Sequence, residues 1–418
     1  MLFNCVVSTL LAAGAAFASP LGRNFKRDAS FAYGSTVVRG ASIGGWLVLE
    51  PWITPSIFQA QNGSIVDEWT LGQYLGEEAA LAVLTEHWNT FTGLADFQKL
   101  ADAGFNLVRI PIGYWAYQKF DDDTYVQGAA PYLDQAIGWA NQTGLKVWVD
   151  LHGAPGSQNG FDNSGRRQDK PGWQQGDTVD QTLQVLQTII DKYAQEEYNG
   201  LVVGIELVNE PFSPELDLDI LRQYYRDGFG KVREVNQDMP VILQDGFNDD
   251  TYWDNFLTPD DDNAKNVVLD HHQYQVFNDT MVAWSNWQHR QEVCNMASSY
   301  QNADHWVVVG EWTAAQTDCA PALNGYGIGA RYDGTYPNST YVGSCAGLND
   351  ITTWSQQQKD DTRGYIEAQL ETFERYTQGW IFWNFKTEAA AEWDLFRLLD
   401  AGVFPQPLTS RKFSSICS

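Results

Sequence analysis

The sequence predicts an α/β protein of the (β/α)₈ barrel class, and two features of the chain support this. Short apolar, β-branched runs recur along it, and amphipathic stretches with helical spacing lie between several of them. Strands that alternate with helices favour parallel βαβ units, and continuous apolar runs favour strands buried on both faces. Eight such units within 418 residues suit one closed barrel.

The predicted strands follow one another as eight runs. Their bounds are 37–43, 106–112, 146–151, 201–208, 241–244, 267–270, 306–310 and 380–383. Helical patterns, in which apolar residues recur every three or four positions, lie at 94–103, 132–143, 180–194 and 361–376. Neither a tandem repeat nor a Pro/Ser/Gly-rich linker follows Arg27. We therefore expect one catalytic domain over 28–418, a (β/α)₈ TIM barrel with loop insertions.

The residues before this domain have the features of export signals. Val6 to Ala18 is apolar and ends in a small-x-small pattern, which predicts a signal peptide at 1–18, although no Lys or Arg precedes the apolar core. The dibasic Lys26-Arg27 predicts the end of a pro-peptide at 19–27. No later run is long enough to span a bilayer, and the C-terminus lacks a lipid-anchor signal. We expect a secreted protein of the extracellular space or cell wall, without a membrane anchor.

The charge and the aromatic content narrow the class of substrate. The formal net charge is −27, which repels nucleic acids and anionic substrates, so no nucleic-acid partner is expected. Aromatic residues make up 14% of the chain and include 17 Trp. Sugars present flat C–H faces to such rings, so a neutral polysaccharide fits both observations. We expect no metal, because neither the cysteines nor the pair His271-His272 has metal-ligand spacing. We also expect no cofactor, and we expect the protein to be a monomer.

The cysteines and sequons agree with export. Cys5 leaves with the signal peptide, and an even number of cysteines then remains, which predicts two disulfides with three possible pairings. These four are Cys294, Cys319, Cys345 and Cys417. The Asn-x-Ser/Thr sequons predict glycosylation at Asn62, Asn141, Asn278 and Asn338.

Two glutamates come directly after predicted strands. Glu210 stands in Asn-Glu-Pro after the fourth run, and Glu311 stands in Gly-Glu-Trp after the seventh. In this fold the carboxyl ends of the strands build the active site, and glycoside hydrolysis needs two carboxyl groups in different protonation states. Further functional side chains fall on the same predicted rim, namely Arg109, His152, Asn209, His271, His272 and Trp383.

The motifs around these residues resemble family 5 glycoside hydrolases, and the longer strings resemble the fungal secreted exo-β-1,3-glucanases. The strings are Gly-Gly-Trp-Leu-Val-Leu-Glu-Pro-Trp at 44–52, Asp-Leu-His-Gly-Ala-Pro-Gly-Ser-Gln-Asn-Gly-Phe-Asp-Asn-Ser-Gly at 150–165, Asp-His-His-Gln-Tyr-Gln-Val-Phe at 270–277 and Phe-Trp-Asn-Phe-Lys-Thr-Glu at 382–388. The resemblance extends from about 44 to 417. Asn-Glu-Pro alone is a weak signal, whereas the ordered set is specific.

The resemblance implies a role for each matched residue. Glu210 is then the general acid/base and Glu311 the nucleophile, with Arg109 holding the nucleophile's charge and Asn209 binding the sugar 2-hydroxyl. The subsite of cleavage is implied to contain His152, His272 and Tyr274, with Trp383 beneath the ring, Glu50 on distal hydroxyls, and Phe161 and Phe277 clamping the next sugar. The resemblance also implies the disulfide pairs Cys294–Cys417 and Cys319–Cys345.

The implied activity is release of glucose from the non-reducing ends of β-1,3-glucans, with possible transglucosylation, in cell-wall glucan metabolism. We expect retention of configuration, the two carboxyl groups about 5–5.5 Å apart, Arg109 keeping Glu311 ionised, and burial with the like charge keeping Glu210 protonated. An endo-acting β-glucanase or mannanase of the same family is an alternative. A non-catalytic carbohydrate-binding protein of the cell wall is another, but it would not need both glutamates.

Overall fold

The computed structural model describes residues 31–61, 63–413 and 416–417, and these form a closed barrel of eight parallel strands. Each strand pairs with the next one in sequence, and β8 pairs with β1. The strands are β1 Val38–Ser42, β2 Leu107–Gly113, β3 Lys146–Gly153, β4 Val202–Glu206, β5 Val241–Gln244, β6 Val267–Gln273, β7 Trp306–Trp312 and β8 Gly379–Phe382. The predicted (β/α)₈ barrel is thereby confirmed.

Helices surround this barrel and connect most of its strands. They are α1 Pro55–Gln59, α2 Glu68–Leu75, α3 Glu77–Thr90, α4 Leu94–Asp102, α5 Ala130–Thr143, α6 Thr178–Tyr193, α7 Leu218–Val235, α8 Asn286–Asn295, α9 Ala297–Asn302, α10 Gln356–Tyr376 and α11 Leu395–Asp400. The connection from β5 to β6 is an exception, because it contains the 3₁₀ helix Asp250–Trp253 and no α-helix.

Several helices begin at residues whose side chains satisfy free backbone N–H groups. Asp67 accepts a hydrogen bond from the Thr70 N–H at 2.7 Å, and the Thr70 hydroxyl is 3.1 Å from the Asp67 N–H, which completes a capping box before α2. The Ser355 side chain caps α10 by accepting a hydrogen bond from the Gln358 N–H. Such caps set where each helix starts and hence where the preceding loop ends.

The barrel is closed at the end where its strands begin. Tyr33 and Phe31 pack there against an apolar layer of strand residues, among them Trp148 and Val203. The Tyr33 hydroxyl donates to the Val203 carbonyl at 2.8 Å and accepts from the Trp148 indole at 2.6 Å. This plug leaves the polar strand residues at the opposite end of the barrel.

Two disulfides have the pairing that the resemblance implies. Cys294–Cys417 joins the C-terminal segment to α8, and Cys319–Cys345 closes a loop between β7 and α10. A crosslink across 26 positions stabilises the fold by about 3 kcal/mol through the unfolded chain's entropy. Among the described residues, no helix has the length and apolarity needed to cross a membrane. The predicted signal peptide, Lys26-Arg27 and Asn62 lie outside the described residues.

Candidate active site

Glu210 and Glu311 face each other at the carboxyl end of the barrel. Glu210 follows β4 and Glu311 is the sixth residue of β7, and both are almost fully buried, with 5% and 4% exposure. One oxygen of each carboxyl group and a ring nitrogen of His272 all lie within 4.8 Å of one another. A sugar bound between the two glutamates would therefore contact both.

Polar residues extend β6 and β7 beyond the predicted apolar runs. His272 pairs in register with Glu311, and Gln273 pairs with Trp312. His272 and Glu311 were expected after the strands, but the pairing of β6 with β7 continues through both residues. Arg109, expected on the rim of the barrel, is instead the third residue of β2, so its long side chain reaches the site from below.

The Arg109 guanidinium contacts side chains from β7 and from the segment after β4. It donates to Glu311 Oε1 at 2.7 Å and to Asn209 Oδ1 at 2.6 Å. Asn209 is fully buried, and its amide nitrogen has no hydrogen-bond partner among the described residues. The guanidinium thus fixes both side chains and leaves the side-chain amide nitrogen of Asn209 available to donate to a hydroxyl.

Three more buried carboxyl groups, which were not predicted as site residues from the sequence, surround Arg109. Glu206 receives two hydrogen bonds, from Nε at 2.8 Å and from Nη2 at 2.9 Å. Asp150 and Asp270 lie at 3.1 and 3.7 Å from the guanidinium. A charged residue inside an otherwise apolar strand was the available signal, because such a residue is rarely buried without a partner.

His272 and Tyr274 hold the two glutamates from β6 and the loop that follows it. His272 Nδ1 lies 2.8 Å from Glu210 Oε1 and 3.4 Å from Glu311 Oε2. The Tyr274 hydroxyl donates to Glu311 Oε2 at 2.7 Å. With Arg109 on its other oxygen, Glu311 has both carboxyl oxygens fixed by donors.

The pKa shifts of the groups in the site differ from those expected. Burial opposes ionisation of Glu210, but the hydrogen bond and charge of His272, with the Asn163 amide, outweigh it and lower the pKa of Glu210. Burial raises the pKa of Glu311 against the effects of His272 and Arg109. Burial lowers the pKa of His272, yet nearby carboxylates, Glu311 foremost, raise it well above its usual value. The expected order of the two carboxyl pKa values is therefore wrong for the free site, because the pKa of Glu210 is lowered and that of Glu311 is raised.

His152 and Trp383 form one wall of the site. Their rings are parallel, with centroids 5.6 Å apart. His152 Nδ1 is 2.6 Å from Asp150 Oδ2, whereas its Nε2 is buried without a hydrogen-bond partner in the described ranges. Trp383 packs so closely on Gly44 that a Cβ there would lie 2.5 Å from the indole ring. The motif glycine is therefore required for the position of the tryptophan.

Glu50 lies in the loop after β1 and belongs to the same site. Its Oε2 accepts a hydrogen bond from the Trp52 indole at 2.8 Å, and its Oε1 is buried without a partner among the residues the structure describes. Burial raises the pKa of Glu50, and the charges of Asp162, Glu311 and Glu210 act in the same direction. Glu50 is therefore a buried carboxyl group near Glu210 and Glu311, with one oxygen that lacks a partner among the described residues.

The two predicted clamp residues are exposed aromatic side chains on separate loops. Phe161 is 40% exposed and Phe277 is 45% exposed. Phe277 packs edge-on against Tyr274, with centroids 5.5 Å apart, and this places it beside Glu311's hydrogen-bond partner. Phe161 packs against Phe212 and Phe247, two phenylalanines that were not predicted to belong to the site.

Several groups could hold a cation by donor type alone. Their donor atoms lie within 4.8 Å of one another in the sets Glu206–Asp270–His272, Glu210–His272–Glu311 and Asp245–Asp250–His271. In the first two sets the carboxyl groups already pair with Arg109 or His272. In the third, burial lowers the pKa of His271 but Asp250 and Asp245 raise it to about 9, so the imidazole itself carries the positive charge. These donors fit ion pairs.

Comparison with known proteins places the chain among glycosidases. The family description "Cellulase (glycosyl hydrolase family 5)" matches residues 74–327. The glucan 1,3-beta-glucosidase of Yarrowia lipolytica is 48% identical over 97% of this chain and 97% of that protein. The glucan 1,3-beta-glucosidase I/II of Saccharomyces cerevisiae is also 48% identical, over 94% of this chain and 91% of its own.

Solved structures share the fold at lower identity. The rutinosidase from Aspergillus niger superposes with a TM-score of 0.71 at 22% identity, covering 89% of this chain and 99% of that one. At this identity the likeness concerns the barrel architecture alone.

Proposed function

The chain belongs to glycosyl hydrolase family 5, and from this premise we propose that it is a glucan 1,3-β-glucosidase that releases glucose from the non-reducing ends of β-1,3-glucans with retention of configuration. The observation that carries the proposal is the close approach of Glu210 and Glu311, because one oxygen of each carboxyl group lies within 4.8 Å of the other. Inverting enzymes need about 6.5–9.5 Å between their carboxyl groups to admit a water, whereas retaining enzymes need about 5–5.5 Å.

In this proposal Glu311 attacks the anomeric carbon and Glu210 protonates the leaving oxygen. Arg109 and Tyr274 hold Glu311 so that one oxygen faces the sugar. The proton for the leaving group comes from the His272–Glu210 hydrogen bond, in which only 2.8 Å separates donor and acceptor. Glu210 then accepts a proton from the water that hydrolyses the glycosyl-enzyme.

The remaining buried groups suit the hydroxyls of one glucose unit. Asn209 Nδ2, His152 Nε2 and Glu50 Oε1 lack partners among the described residues, and a bound sugar would satisfy them. Trp383 supplies the apolar face for the ring. Glu50 is on the loop after β1, and we propose that this loop and the Cys319–Cys345 loop block the site beyond one sugar, which favours exo over endo action.

We further propose the biological setting from the sequence signals. The chain is secreted after cleavage at 18 and 27, and its catalytic domain is 28–418. It acts as a monomer on cell-wall glucan and also transfers glucose to other sugars. Of the described sequons, Asn141, Asn278 and Asn338 are exposed and accessible to glycosylation.

The product profile on laminarin tests the proposed function. We expect glucose alone from the first minutes, and NMR of fresh product should show the β-anomer first. A ladder of oligosaccharides would mean endo action, and α-glucose first would mean inversion and a different role for Glu311.

The aromatic residues make a separate prediction. Trp383→Ala should lower kcat/KM about 100-fold on every glucoside, because stacking of a buried aromatic face contributes about 2–3 kcal/mol. Phe277→Ala should lower kcat/KM about tenfold for laminaribiose but leave β-glucosyl fluoride unchanged, because fluoride places no sugar on the leaving side. Equal losses on both substrates would contradict a clamp role for Phe277. The control for both variants is an unfolding midpoint well above the assay temperature, because loss of the buried Trp383 ring itself costs about 3–5 kcal/mol of stability.

A further inference from the structure

The two oxygens of the Glu210 carboxyl group are held by side chains from different elements. His272 of β6 lies 2.8 Å from Oε1, and Asn163 Nδ2 donates to Oε2 at 2.8 Å. We propose that Asn163 is a positioning residue that orients the Glu210 carboxyl group and stabilises its ionised form. This inference rests on the proposed function, in which Glu210 is the acid/base.

A second amide fixes which end of the Asn163 side chain faces Glu210. Asn159 Nδ2 donates to Asn163 Oδ1 at 3.0 Å, so the Asn163 nitrogen is left to face the carboxyl group. Asn159 is itself oriented, because its Oδ1 accepts the Phe161 N–H at 2.9 Å. A flipped Asn163 would place oxygen against oxygen at Glu210 and nitrogen against nitrogen at Asn159, so this relay presents a donor to Glu210.

The loop that carries Asn163 is tied to the strands of the active site. The hydroxyls of Ser157 and Ser164 are 2.6 Å apart and close the loop on itself. Gln158 Nε2 donates at 2.8 Å to the carbonyls of both His152 and Asn209. Asn163 is therefore held in place relative to the ends of β3 and β4, which a positioning role requires.

The same contact has an electrostatic consequence. A donor fixed on a carboxylate favours the charged form, and Asn163 contributes to the lowered pKa of Glu210, after the opposing burial and the larger effects of His272. The other titratable groups that interact with Glu210 are His152 from β3, Glu311 from β7, Glu50 from the loop after β1 and Tyr274 from the loop after β6. All of these groups and His272 remain when Asn163 is replaced, so a variant isolates the effect of the amide.

The loop also links proton transfer to the leaving sugar. Phe161 and Asn163 are two positions apart, and the relay through Asn159 joins the Phe161 backbone to Glu210. A sugar that settles against Phe161 therefore contacts the loop that holds the acid. Asn163 should matter most for substrates whose leaving group is a sugar that needs this proton.

The test compares wild type with Asn163→Ala, Asn163→Asp and the exposed control Asn302→Ala. For laminaribiose, Asn163→Ala should lower the maximal kcat/KM about tenfold and move the basic limb of its pH profile up by about one pH unit, because the ionised acid loses a donor. Asn163→Asp has the same shape and adds a like charge, so its basic limb should move further up. Neither change should lower kcat/KM for β-glucosyl fluoride more than about twofold.

The outcomes separate this inference from the proposed function. Failure of wild type to release glucose from laminaribiose would overturn the proposed function. The role of Asn163 alone would be overturned if wild type is active and the basic limbs of the kcat/KM profiles coincide in wild type, Asn163→Ala and Asn163→Asp. So would equal losses on laminaribiose and the fluoride, which a merely structural role predicts. Thermal unfolding midpoints of both variants, compared with Asn302→Ala, show that the folded enzyme is being measured.

Discussion

Replacing Glu311 by Gln should abolish turnover, with kcat reduced on the order of 10⁵-fold. Glutamine keeps the size of the side chain and can still accept a hydrogen bond from Arg109 or Tyr274, but it cannot form the glycosyl ester. The loss should be equally large for laminaribiose and for β-glucosyl fluoride, because both must pass through the same covalent intermediate. Steady-state kinetics with freshly purified variants measure this directly.

A smaller substitution provides the stereochemical control. In Glu311→Ala, azide can occupy the space of the missing carboxylate and displace fluoride from β-glucosyl fluoride, which gives α-glucosyl azide. Glu215→Ala, at an exposed residue after the same strand as Glu210, should behave as wild type. Residual turnover above about 1% in Glu311→Gln, with β-glucose as first product, would assign the nucleophile to another residue.

Replacing Glu210 by Ala should have an effect that depends on the leaving group. For laminaribiose we expect kcat/KM to fall about 10³-fold, because general acid catalysis contributes about 10²–10⁴. For β-glucosyl fluoride the fall should be less than about tenfold, since fluoride leaves with little need of a proton from Glu210. Its glycosyl-enzyme should accumulate, because no base then activates water.

Azide distinguishes this variant from the nucleophile variant. It should attack the glycosyl-enzyme of Glu210→Ala from the face that water uses, and release β-glucosyl azide with an increase in rate. The product thus has the opposite configuration to that from Glu311→Ala. If Glu210→Ala lost activity equally on both substrates and azide had no effect, Glu210 would not be the acid/base.

The strands were predictable because their side chains are buried on both sides. All eight predicted runs coincide with strands within a few residues, since continuous apolar sequence leaves few alternatives. The β5–β6 connection was less regular than a repeating unit suggests, and it contains a 3₁₀ helix. The extensions of β6 and β7 were missed because they begin with polar residues, His271 and His272 in β6 and Glu311 in β7, which interrupt the apolar pattern.

The site was predictable where one residue type implied one chemistry. The pair of glutamates was placed by strand order, and both meet at the barrel mouth. The carboxyl groups around Arg109 were not predicted, because pairing across the barrel depends on register that sequence does not give. The direction of the Glu210 pKa shift was predicted wrongly because it depends on two hydrogen bonds, from His272 and from the Asn163 loop, that burial alone does not reveal.

The carboxyl groups around Arg109 have a consequence for the transition state of the sugar. As the glycosidic bond breaks, the ring oxygen and anomeric carbon share a positive charge, the oxocarbenium ion. One guanidinium stands among four carboxyl groups within 3.7 Å. These carboxyl groups are held in place before the substrate arrives, so they need no solvent rearrangement to stabilise the cation. We expect the site to bind a sugar mimic with a protonated ring nitrogen more tightly than a uronic acid.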